Sequence, residues 1–113
     1  MQENMREIKL KIDKRLDVRQ SFRTFLMNNK VEEYYEKKFV EGSRTLYVFS
    51  YETSFIKAIW GNKTPIRIFV TTTLIASIND NLTELSIVES SDIKKDSINP
   101  LILYFRDLGF KSA

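Results

Sequence analysis

The chain has 113 residues, 42% of them hydrophobic and 29% charged, with a formal net charge of +3. These are the proportions of one folded domain, residues 1–113, rather than of a disordered chain. The absence of cysteine and histidine removes disulfides, thiolate nucleophiles, Ser–His–Asp triads and the commonest metal ligands.

The N-terminal "MQENMREIKLKI" lacks the apolar core of a signal peptide. No apolar run approaches the ~20 residues of a membrane helix. The expectation is a cytoplasmic protein without a membrane partner. Ile8, Leu10 and Ile12 alternate with Lys9, Lys11 and Asp13, the pattern of a half-buried strand with a basic outer face. Residues 1–30 carry eight Lys or Arg against four acids, whereas the rest of the chain carries ten against eleven.

A helix is predicted near 18–28. Asp17 can cap it with Gln20 three residues on, and Val18, Phe22, Phe25 and Leu26 form one apolar stripe. Asn28 and Asn29 are the expected stop, because Asn tolerates the left-handed backbone. Residues 31–40, "VEEYYEKKFV", fit either a second helix or the start of the sheet. On a helix, Glu32 and Glu36 would share a face.

"RTLYVFSY" reads as a strand with apolar residues on both faces, Tyr47, Phe49 and Tyr51 on one of them. "SFIKAIW" and "PIRIFV" read as a hairpin closed by Gly61-Asn62-Lys63-Thr64, with Trp60 at its lip. Thr71-Thr72-Thr73 is a β-favouring run that on an edge strand would invite pairing with a second copy. In "LTELSIVE", Leu85 and Ile87 alternate with Glu84 and Ser86. A closing helix follows, with Asn99 as cap, Pro100 at its first position and Gly109 at its end. Its apolar stripe is Ile98, Leu101, Ile102, Phe105 and Leu108.

The expected fold is therefore α+β: an N-terminal strand and helix, an antiparallel meander of about five strands, and a C-terminal helix packed on the sheet. That order resembles a shortened helix-grip domain of the START-like SRPBCC superfamily. The likeness is carried by "EIKLKIDKRLDVRQSFRTFL", "TPIRIFVTTTLIASINDNLTELSIVE" and "INPLILYFRDLGF". It implies a curved sheet gripping the last helix, often around a cavity for an apolar ligand. The closing helix here, about three turns long, is shorter than the helix that the resemblance implies.

No phosphate loop, dinucleotide fingerprint or nucleophile elbow can be written with the three glycines, Gly42, Gly61 and Gly109. A non-enzymatic domain without cofactor or metal is expected. The leading expectation is a homodimeric protein-interaction module using Tyr47, Phe49, Tyr51 and Trp60. One alternative is a helix-grip binder of a small apolar molecule. The other is a nucleic-acid binder, with Lys9, Lys11, Arg19 and Arg23 on phosphates.

Overall fold

The computed structural model describes residues 4–57, 65–93 and 97–113. Its elements are β1 (Asn4–Ile12), α1 (Val18–Asn28), β2 (Tyr35–Glu41), β3 (Arg44–Lys57), β4 (Ile66–Ile78), β5 (Thr83–Ser91), α2 (Pro100–Asp107) and β6 (Lys111–Ser112). The fold is α+β, with one antiparallel sheet in the order β2-β3-β4-β5-β1-β6. The N-terminal strand and helix, the meander and the closing helix are as expected. The sixth strand is additional: Lys111 pairs with Lys11 and Ser112 with Leu10. A two-residue polar strand carries no periodicity to read.

Both helices are fixed by caps. The Asp17 side chain accepts the Gln20 N–H at 3.0 Å, and the Asn99 side chain accepts the Leu101 N–H at 2.9 Å. The end of α1 differs from expectation. The left-handed residue is Lys30 (φ 56°), whereas Asn29 stays at φ −102° and its side-chain amide donates to the Phe25 carbonyl at 2.8 Å. Residues 35–41 are strand rather than helix, so Glu32 and Glu36 do not share a helical face. "RTLYVFSY" and the start of "SFIKAIW" form one continuous strand, β3. The Thr71–Thr73 run lies on β4, between β3 and β5, so its backbone is already paired on both sides and is not an edge. Trp60 and the turn residues Gly61–Thr64 lie outside the described residues.

Period-two alternation gives the sheet two unlike faces. Both helices cover the inner face. Phe22 of α1 stacks on Phe49 at 4.4 Å between ring centroids, and Leu101, Ile102 and Phe105 of α2 are buried in the same core as Leu74, Leu85 and Ile87. Phe25 and Tyr104 join the two helices at 5.4 Å. The described outer face carries Leu46, Val48 and Thr73 with exposed Phe39 and Ile75, and neither helix among the described residues packs on it. No helix among the described residues is long and apolar enough to cross a membrane.

Candidate functional site

Successive rungs of the inner face can be read across four strands from the register. Tyr47, Ala76, Leu85 and Leu10 make one rung, and Phe49, Leu74, Ile87 and Ile8 the next. The third rung breaks the apolar pattern: Tyr51 lies opposite Thr72, Thr72 opposite Glu89, and Glu89 opposite Arg6. Thr72, Glu89 and Tyr51 are all buried, and a buried polar group is tolerated when it is hydrogen-bonded.

Asn99 supplies those bonds from above the sheet. Its Nδ2 donates to Thr72 Oγ1 at 2.9 Å and to Glu89 Oε2 at 2.7 Å, while its Oδ1 holds the first turn of α2. Arg6 donates from one terminal nitrogen to Glu89 Oε1 at 2.6 Å and to the Ser97 carbonyl at 2.9 Å. One asparagine thus sets the start of α2 and satisfies two strands beneath it.

A half-open cleft of about 530 Å³ lies at this rung. Phe25, Asn29 and Val31 wall it from the α1 side, β3 contributes Tyr51 and Phe55, and β4 contributes Val70 and Thr72. Asn99 and Pro100 close it from the α2 side. The cleft exists because α1 turns away at Asn29, while β3 and β4 run on past the last rung shared with β5, Val70 opposite Ser91. Its volume is in the range of small-molecule sites, and its lining matches theirs, apolar walls with a few convergent polar groups.

The Tyr51 hydroxyl stands among those polar groups. Burial pushes its pKa up to about 12; a side-chain hydrogen bond with Thr72 pulls the other way, and the nearby Glu89 charge adds to the rise. It is a neutral phenol at physiological pH.

The residues singled out in the sequence are placed unevenly. Tyr47 and Phe49 are core, stacked on each other at 5.5 Å, with Phe22 covering Phe49. As an exposed contact face the aromatic trio is absent, because α1 lies on it; only Tyr51 reaches the cleft. The basic set divides in two. Lys9 and Lys11 alternate with buried Leu10 and point to the outer face, opposite Ser86 and Glu84. Arg19 and Arg23 lie on α1 over the inner face, and both reach Glu36 Oε2, at 3.1 and 3.3 Å. The four cations do not form one patch.

Arg6, Thr72, Glu89 and Asn99 were missed as a group. The signal lay in the alternation of β5: continued from Leu85 and Ile87, it puts a carboxylate at the inward position 89.

No family model, curated protein or solved structure matches the chain. The helix-grip likeness therefore rests on element order alone.

Proposed function

We propose that this protein binds a small, mainly apolar molecule in the cleft between α1, the β3–β4 extension and the start of α2. The observation that carries this reading is the combination of about 530 Å³ of space with apolar walls and a buried, ordered polar floor. The test is binding of the neutral dye N-phenylnaphthylamine, read as fluorescence enhancement. Thr53→Trp, which puts bulk into the cleft from an exposed position, is expected to weaken the dye by about tenfold or more, equivalent to about 1.4 kcal/mol. Phe39→Ser on the opposite face is expected to leave it unchanged. No enhancement with the unaltered protein, or an unaffected Thr53→Trp variant, overturns the reading.

A second reading is self-association through the outer face. It is favoured by the apolar diagonal of Phe39, Leu46, Val48 and Ile75, two of whose members, Phe39 and Ile75, are 44% and 42% exposed. Light scattering across a concentration series tests it. A dimer that Ile75→Lys dissociates supports it, and a monomer at every concentration rejects it.

A further inference from the structure

The sheet ends on an uncovered strand. β2 pairs with β3 on one side, and among the described residues no strand pairs with its other side. Every second residue of such an edge presents a backbone N–H and C=O that no neighbouring strand takes. Lysines on an edge strand ordinarily discourage a neighbour, and β2 carries Lys37 and Lys38. Whether a second copy of β2 can pair there is therefore a question of register.

In an antiparallel pair, residues directly opposite each other share a face of the sheet. Two identical strands related by a two-fold axis therefore pair only with one residue opposite itself. A centre at Glu36, Lys37, Lys38 or Glu41 sets a charge against its own copy. A centre at Tyr35 leaves no other residue of the strand paired, and one at Val40 sets Phe39 opposite Glu41. A centre at Phe39 sets that ring against its copy and Lys37 opposite Glu41 on both sides of the axis, with Lys38 opposite Val40. Aromatic pairs and opposite charges in these positions stabilise a sheet.

The side chains suit that register. Phe39 is 44% exposed and Val40 68% exposed, both apolar and both at the edge. The Lys37 amine stands over the Phe39 ring at 5.1 Å from its centroid, so the cation already lies beside the axis. Glu41, which Arg44 meets at 3.0 Å, remains exposed and can accept a second cation. The Lys38 stem is long enough to cover Val40 of the other copy. Phe39 also lies opposite Leu46, so the pairing joins the apolar diagonals of two copies across the seam.

We propose that β2 pairs antiparallel with β2 of a second copy, centred on Phe39, so that the two sheets become one continuous sheet. The contact is edge to edge, unlike the stacking of outer faces, and it is independent of the cleft reading.

Charge exchange tests this, read by sedimentation velocity across a concentration series. Lys37→Glu and Glu41→Lys each set like charges opposite at two positions, and each is expected to weaken self-association by about tenfold or more. Mixed in equal amounts, the two variants are expected to regain it, because every opposed pair is then a cation and an anion. Such recovery also shows that both variants fold. The chain has no cysteine of its own, so Phe39→Cys reports the register. Opposed Cα atoms lie within disulfide reach, and mild oxidation is expected to crosslink Phe39→Cys but not Tyr35→Cys. A monomer at every concentration overturns the proposal, as does a mixture that associates no better than either charge variant alone. A dimer that Ile75→Lys dissociates and both charge variants leave intact assigns the contact to the outer faces instead. Crosslinking of Tyr35→Cys in place of Phe39→Cys overturns the register.

Discussion

The inner face of the sheet has two ends built on opposite rules. Under α1 it is solid and apolar: Phe22 lies on Phe49, Phe49 on Tyr47, and Phe25 reaches Tyr51 and Tyr104. Two rungs along β3, at Tyr51, the face turns polar and space opens beyond the end of α1. The solid end has close-packed rings, and it is held mainly by shape. The polar end is held by a few directional bonds converging on Asn99 and Glu89. Ring packing is concentrated at one end, and directional hydrogen bonding at the other.

Substitutions at the two ends can break that contrast. Phe22→Ala removes a fully buried ring at the solid end and is expected to cost about 3–5 kcal/mol in chemical denaturation. A cost below about 1 kcal/mol would mean that the ring stack does not hold the core. At the polar end, Glu89→Ala strips Arg6 and Asn99 of a charged acceptor and is expected to cost about 2–3 kcal/mol. A neutral result would show the rung to be as replaceable as an exposed surface.

Asn99 separates capping from bridging. Asn99→Ala is expected to cost about 1–2 kcal/mol, through loss of both the cap and the bonds to Thr72 and Glu89. Asn99→Ser keeps a capping oxygen without the two amide donors. Urea unfolding of the two variants apportions the loss, and equal stability would assign it all to the bridge.

The smallest expected effect is confined to alkaline solution. Below pH 10 the Tyr51 hydroxyl is protonated in both folded and unfolded chains and contributes no pH dependence. Between about 10 and about 12 the unfolded chain releases this proton while the folded one retains it. Folding stability is therefore expected to fall with rising pH there, by at most about 1.4 kcal/mol per unit from this group. Tyr51→Phe should flatten the slope, and an unchanged slope would place the hydroxyl in water. Burial also raises Tyr104, so phenolate absorbance is best followed as the difference between the two proteins.

Much of the fold was legible locally. The stripe Val18, Phe22, Phe25 and Leu26 and the cap Asp17 locate α1, and Asn99 with Pro100 locates the start of α2. Residues 31–40 were not legible, because "VEEYYEKKFV" suits either element and pairing with β3 decides it. The aromatic alternation of β3 was read correctly as a face, but its burial depends on where α1 lies, and no residue of β3 encodes that.

The candidate site was less legible still. Within each strand the inward pattern is interrupted by a polar residue: Thr72 among Val70 and Leu74, Glu89 after Ile87, and Arg6 before Ile8. An isolated interruption reads as an ordinary polar residue. Alternation is a property of the local backbone, set by the two-residue period, so the sequence determined which face each of these side chains takes. Register is a property of pairing, and a shift of two residues would preserve every face while scattering the polar groups over different rungs. The antiparallel pairing of β1, β5, β4 and β3 brought Arg6, Glu89, Thr72 and Tyr51 into one row, and α2 set Asn99 above it. That alignment, which no segment of the chain contains alone, was decided by the tertiary structure, because the hydrogen bonds that make it tolerable form only when all four strands and the helix are in place.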